Sequence, residues 1–187
     1  MNTTSQADII AHYENCWANR AVVRRCDNGP FWELPSSFCV LEFSRTNSRK
    51  MWTYATCGMS KSGQSGLLEL HLFSPVQFEP HVELLTAVAH YHCTGRPLAL
   101  GHTVNFGRPW MPDSKCDHGL ISLPYLDGPS LEEFRRAGDG NLVRCLWLVP
   151  ITSAERDFVR AHGVEALERK FDEAKLNYLD PLRQSVV

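Results

Sequence analysis

One apolar run, followed at once by a helix-start signal, constrains the fold more than any other stretch. Residues 145–149 are five apolar residues in succession, a pattern typical of a strand covered on both faces. We expect this strand to end at Pro150, because proline cannot donate a hydrogen bond to a ladder. Thr152, with Glu155 three residues later, matches a capping box and predicts a helix start. The chain therefore needs a buried central strand within a sheet that helices cover.

The rest of the chain predicts more strands and helices around that centre. Three strand-like runs, at 38–44, 51–57 and 67–73, are separated by polar or Gly/Ser-rich segments, which favours an antiparallel meander. Apolar residues at helical spacing predict helices near 6–18, 80–94 and 164–174. Weaker pieces at 102–106 and 120–125 suggest loops with edge strands. The predicted fold class is α+β, a mixed, mostly antiparallel sheet with packed helices, in a single domain spanning 1–187.

Composition excludes several classes of protein. The seven cysteines are an odd number without CxxC pairs, and the N-terminus lacks the features of a signal peptide, so we expect a reducing, cytoplasmic location. The apolar runs are far shorter than the roughly 20 residues of a membrane span. A formal net charge of −2 offers no basic field for phosphates. Neither a membrane nor a nucleic acid is an expected partner, and the oligomeric state stays open.

The segment that begins at Gly58 has the spacing of a phosphate-binding loop but not its chemistry. Gln64 stands where that motif requires the lysine that reaches the phosphates. The following run alternates as a strand, whereas the motif requires a helix N-terminus. We therefore interpret 58–66 as a hairpin loop. The charged stretch 132–136 is interpreted as a solvated face.

The cysteines and histidines leave one alternative function open. A small cysteine- or zinc-dependent enzyme could use Cys57, Cys93 and Cys116 with His102 and His118, since zinc sites draw on such ligands. Their spacing matches no typical zinc motif, and a cysteine nucleophile also needs a neighbouring base and a lowered thiol pKa. We therefore predict no catalytic residue, no metal and no cofactor.

A series of motifs runs from residue 52 to the C-terminus. In order they are Trp52-x-Tyr54-x-x-x-Gly58-Met59-Ser60, Glu69-Leu70, Leu84-Leu85-x-x-x-Ala89, Gly101-His102-Thr103-Val104, Pro150-Ile-Thr, Glu155-Arg156 and Arg183-x-Ser185-Val186-Val187. This order resembles the suppressor of fused domain, and its later part looks like the single-domain bacterial-type members. The resemblance covers most of the chain.

The resemblance implies a binding protein that is not an enzyme. In the animal members, this domain and a second C-terminal domain restrain a Gli-type transcription factor by clamping a short peptide as an added strand. This chain ends without that second domain, so the resemblance favours the role proposed for single-domain relatives, an immunity protein that neutralises a toxin. The partner-binding residues that we predict are Trp52, Tyr54, Gly58, Ser60, Gly63 and Glu69.

Overall fold

The fold combines helices with a large sheet in the computed structural model, which describes residues 3–26, 31–60 and 67–187. The helices are α1 (Thr3–Trp17), α2 (Pro80–Thr94), α3 (Pro129–Glu132), α4 (Ser153–His162) and α5 (Val164–Ala174). The strands are β1 (Val22–Arg24), β2 (Cys39–Phe43), β3 (Trp52–Cys57), β4 (Leu68–Ser74), β5 (Thr103–Asn105), β6 (Cys116–Ser122), β7 (Glu133–Arg135) and β8 (Leu142–Thr152). The predicted α+β class is confirmed.

The strands form one sheet in the order β1-β2-β3-β4-β8-β6-β5, and β7 pairs with β8 beside this path. β2, β3 and β4 are the predicted antiparallel meander. β4 and β8 pair in parallel, and every other described pairing is antiparallel. The sheet is therefore mixed and mostly antiparallel, as expected. A long connection, which includes α2, separates the two parallel strands in the chain.

The central position of β8 is confirmed, but its predicted end is wrong. β8 lies between β4 and β6, and Trp147 is buried within it. The strand continues through Pro150 to Thr152, with Pro150 opposite Gly119 of β6. β4 pairs with β8 only as far as Trp147. At Pro150, therefore, β8 has no described partner strand on its β4 side that would need an N–H donor. Proline is tolerated at such an edge.

The strand β6 is also more central than its sequence suggests. We expected an edge strand near 120–125, whereas β6 begins at Cys116 and lies between β8 and β5. His118 and Gly119 interrupt the apolar pattern that would have marked a buried strand. Gly119 has a packing reason, because an added Cβ would lie 2.6 Å from Cδ1 of Leu148 and 2.7 Å from the ring of Phe106. The glycine therefore allows close packing at this point.

Helices cover both faces of the sheet. On one face, Leu85 and Ala89 of α2 pack with the leucines of β4. On the other face, Tyr13 and Trp17 of α1 pack on the meander, while Leu167 of α5 packs near β8. All seven positions of β4 are buried, including the polar ones. A polar side chain on β4 must therefore find its partners inside the protein.

The histidine at the start of α2 is buried without a hydrogen-bond partner for its ring among the described residues. His81 is fully buried among Tyr54, Phe78 and Trp110, with its ring stacked 5.5 Å from that of Trp110. Neither ring nitrogen has a hydrogen-bond partner among the described residues. Burial, aided by the charge of Arg108, lowers the pKa of His81 to about 3.

We expect His81 to make the protein less stable in acid. Because the unfolded chain binds the proton near pH 6.5 and the folded chain does not, the free energy of unfolding rises with pH through this window and levels off above it. His81 alone should lower it by about 2 kcal/mol between pH 7 and pH 5. Urea unfolding at both pH values measures the loss, and His81→Phe should remove this share of it. An unchanged pH dependence in the variant would contradict the assignment.

Candidate functional site

A buried carboxylate organises the start of the segment between β3 and β4. Glu69 is fully enclosed, and its Oε1 accepts hydrogen bonds from the amides of Gly58 (3.0 Å) and Ser60 (2.9 Å) and from the Ser60 hydroxyl (2.6 Å). Its Oε2 accepts from the Met59 amide (3.3 Å) and the Thr56 hydroxyl (2.6 Å). We call this arrangement the Glu69 cradle. It fixes the backbone of residues 58–60.

The cradle exists because the ladder between β3 and β4 stops early. The last paired residues are Ala55 and His71, after which the Thr56 hydroxyl accepts from the amide of Leu70 at 2.9 Å. The Glu69 carboxylate then takes the place of a strand partner for the next amides. Gly58 turns the chain there with φ of 102°, a conformation that side chains disfavour.

The protonation of Glu69 reflects two opposing effects. Burial raises the pKa of its carboxyl group, since a charge is poorly solvated in the interior. Hydrogen bonds from Ser60, Thr56 and the Gly58 amide work in the opposite direction, because they stabilise the ionised form. A fully ionised carboxylate can accept all five hydrogen bonds, whereas a protonated one must use an oxygen as a donor.

Two residues from distant parts of the chain donate hydrogen bonds to backbone carbonyls of the same turn. Arg136 donates from Nη1 to the carbonyl of Ser60 at 3.2 Å and also forms an ion pair with Asp139. Cys93 of α2 donates to the carbonyl of Met59, with 3.8 Å between sulfur and oxygen. The prediction that 132–136 is a solvated face is wrong for Arg136, which is only 3% exposed. No signal in the sequence linked this arginine to Ser60.

The structure brings three of the six predicted binding residues together. Gly58, Ser60 and Glu69 meet in the cradle. Tyr54 lies in the core beneath α2, where its hydroxyl accepts from the amide of Phe78 at 2.8 Å. Trp52 is half-buried at the start of β3. Gly63 belongs to 61–66, which lies outside the described residues. Partner binding by these residues therefore stays a prediction.

The cysteines and histidines of the alternative enzyme do not converge. Cys57 lies in the core on the α1 side of the sheet, whereas Cys116 belongs to the core on the α2 side. His102 is exposed in the connection before β5. Within the residues that the structure describes, no three side chains of His, Cys, Asp or Glu could hold a metal ion. A zinc site on this set has no support in the described geometry.

The thiols are also poorly suited to act as nucleophiles. A hydrogen bond with Cys39, followed by burial, raises the pKa of Cys57. Burial likewise raises the pKa of Cys116. A reactive thiol requires the opposite shift. The raised pKa values therefore favour packing roles for both thiols.

A family model described as suppressor of fused protein (SUFU) matches residues 35–184. The chain belongs to the suppressor of fused family. A crystal structure of a SUFU homologue from Neisseria gonorrhoeae is 36% identical, with a TM-score of 0.85, and the match covers 98% of this chain and 97% of that one. The predicted resemblance, including the likeness to bacterial members, is confirmed. A search of the curated proteins found no match.

Two more distant structures share the fold. A chain in the Sufu–Fu complex crystal structure is 15% identical with a TM-score of 0.67, and the match covers 97% of this chain and 92% of that one. Drosophila Suppressor of Fused is 14% identical with a TM-score of 0.64, over 97% of this chain and 51% of that one. None of the helices in the described part of this chain combines the length and apolar character needed to cross a membrane.

Proposed function

We propose that this protein is a non-enzymatic binding module that sequesters a protein partner, and that the partner is a toxin which it neutralises as an immunity protein. Membership of the suppressor of fused family supports the binding role. A member of this fold class has been crystallised in a Sufu–Fu complex. The toxin as partner rests on the resemblance to single-domain bacterial members described above.

The Glu69 cradle is the observation that supports a binding site here. A fully buried carboxylate directs three of its five hydrogen bonds to consecutive amides at 58–60. Core packing alone does not require a charged side chain at this position. A backbone that is already fixed before binding loses less conformational entropy when it binds. We therefore place the partner-binding surface at the segment 58–66, which follows β3 and begins at the cradle.

We also propose that residues 1–187 form a single domain that works in the cytoplasm. Cys39 and Cys57 are free thiols, although they lie opposite each other on neighbouring strands. Free thiols are typical of a reducing compartment. One continuous sheet links the first described strand to the last.

Affinity capture followed by a neutralisation assay tests the proposal. The purified chain serves as bait, and retained proteins are identified by mass spectrometry. We expect one dominant partner that inhibits growth when expressed alone and is harmless when this chain is co-expressed. A variant with residues 61–65 replaced by a Gly/Ser sequence of equal length should lose both capture and protection.

A matched control separates the binding surface from general damage. Lys170→Ala with Glu173→Ala alters an exposed ion pair on α5, and it should retain capture and protection. If wild-type protein captures a partner and the Gly/Ser variant captures it equally well, the binding surface lies elsewhere. If no partner is retained by wild type, sequestration loses its support.

A further inference from the structure

A concave surface lies on the opposite side of the sheet from α2. A cleft of about 840 Å³ opens between α5 and the β6–β8 part of the sheet. This volume falls within the range of ligand-binding clefts. Its apolar lining includes Tyr125, Leu126, Trp147, Phe171, Leu176 and Tyr178. Tyr125 is 59% exposed and Leu126 is 48% exposed, so large apolar surfaces face solvent here.

The cleft has a rigid aromatic floor. The ring of Trp147 lies 5.2 Å from that of Tyr178, nearly perpendicular to it, and 5.2 Å from that of Phe73. Trp147 is held in β8, the central strand of the sheet. Aromatic faces carry a negative electrostatic potential and attract cations that approach them. A floor of this kind favours a flat cationic group with an apolar stem.

A positioned carboxylate lines the same cleft. Glu168 of α5 accepts a hydrogen bond from the Ser122 hydroxyl on Oε1 (2.7 Å) and one from the Tyr125 hydroxyl on Oε2 (3.1 Å). Each oxygen thus keeps capacity for one further donor, side by side. Two adjacent acceptors match the paired N–H groups of a guanidinium.

Acidic side chains outnumber basic ones in the lining of the cleft. Glu165 and Asp172 line it together with Glu168, and none of the three forms an ion pair within the described residues. Arg169 and Lys175 also border the cleft. Arg169 does not face Glu168, which it directly follows on the helix, but it lies at neighbouring spacing from Glu165 and Asp172. Glu168 has no basic residue three or four positions away on α5. Three acids and two bases leave a net negative charge.

The ionisation of Tyr125 is consistent with this field. Burial and the charge of Glu168 raise the pKa of the Tyr125 phenol, and Asp172 acts in the same direction. The charges of Glu168 and Asp172 thus disfavour a further negative charge beside the Tyr125 hydroxyl.

We propose that this cleft binds an arginine side chain of a partner protein, with the guanidinium on Glu168 and its stem against the aromatic floor. The inference rests on the proposed function, since it assigns a chemical feature to the partner, but it concerns a surface separate from 58–66. An arginine fits better than a lysine, because its planar fork pairs with both carboxylate oxygens and stacks on aromatic rings.

Peptide titration on the intact chain tests the cleft directly. The probe is acetyl-Gly-Ala-Arg-Ala-Gly-amide, and the comparison peptide carries citrulline, which is uncharged but nearly the same shape, in place of arginine. Amide NMR shifts at residues 165–178 report binding. We expect the arginine peptide to bind with a Kd of about 0.1–1 mM and the citrulline peptide about 10-fold more weakly.

Variants on one helix show whether Glu168 carries the recognition. Glu168→Gln keeps the shape and should weaken the arginine peptide about 10-fold, which corresponds to about 1.4 kcal/mol. Glu173→Gln makes the same change on α5 outside the cleft and should leave binding unchanged. Equal affinity for both peptides, no shifts at 165–178 up to about 1 mM peptide, or an unaffected Glu168→Gln variant would each overturn the proposal.

The two proposals fail in distinguishable ways. The Gly/Ser variant of 61–65 should bind the arginine peptide as wild type does, even where it loses the captured partner. Arginine-specific binding in the cleft without any captured protein would contradict sequestration while supporting the cleft. Capture that survives both Glu168→Gln and added arginine peptide would show that the partner does not use the cleft.

Discussion

Glu69→Ala should lower the free energy of unfolding by about 5 kcal/mol or more. The carboxylate is fully buried and accepts five hydrogen bonds. A buried donor left without an acceptor costs about 1–3 kcal/mol. Water that enters the cavity can hydrate about half of these donors. The donors that stay without an acceptor, together with the lost packing, still cost about 5 kcal/mol. Urea unfolding followed by tryptophan fluorescence measures the loss.

Two controls make this expectation specific to the cradle. Glu173→Ala removes an exposed carboxylate from α5 and should change the free energy of unfolding by no more than about 0.5 kcal/mol. Glu69→Gln keeps one acceptor oxygen and should fall between Glu69→Ala and wild type. A loss below about 1.5 kcal/mol for Glu69→Ala would mean that the donors at 56–60 find other acceptors at little cost.

The strands of the meander and the central strand were predictable because their apolar patterns encode burial directly. Residues 145–149 form part of β8, and the three runs before α2 became β2, β3 and β4. The parallel pairing of β4 with β8 was not predictable, since it joins segments more than 70 residues apart. The continuation of β8 through Pro150 was not predictable either, because it depends on where the neighbouring strand β4 stops pairing.

The candidate site was predictable only in part. The resemblance singled out Gly58, Ser60 and Glu69, but the sequence did not show that one carboxylate binds the backbone of the other two. The alternation of Leu68, Leu70 and Leu72 with Glu69 and His71 is typical of a strand with one polar face, whereas all seven positions of β4 are buried. Arg136 was equally hidden, because a charged residue in a charged stretch is usually solvated. Its role depends on the fold.

A buried ion pair between Arg183 and Glu155 links the C-terminal segment to the capping box of α4. Arg183 donates from Nη1 and Nη2 to the two oxygens of Glu155, each at 2.7 Å, and from Nη2 to the carbonyl of Pro150 at 2.9 Å. Glu155 also accepts from the amides of Thr152 and Val186. The predicted capping box is confirmed. The same carboxylate thus serves the helix start and the C-terminal segment.

Arg183→Met should lower the free energy of unfolding by about 3–5 kcal/mol, because it leaves the fully buried charge of Glu155 without its partner. Adding Glu155→Gln removes that charge and keeps one acceptor oxygen for one of the two amides. The double variant should therefore be more stable than Arg183→Met alone, and urea unfolding of the two single variants and the double variant measures this coupling. A double variant that loses the sum of the two single losses would contradict this explanation, since the cost would then come from lost packing and not from an unpaired charge.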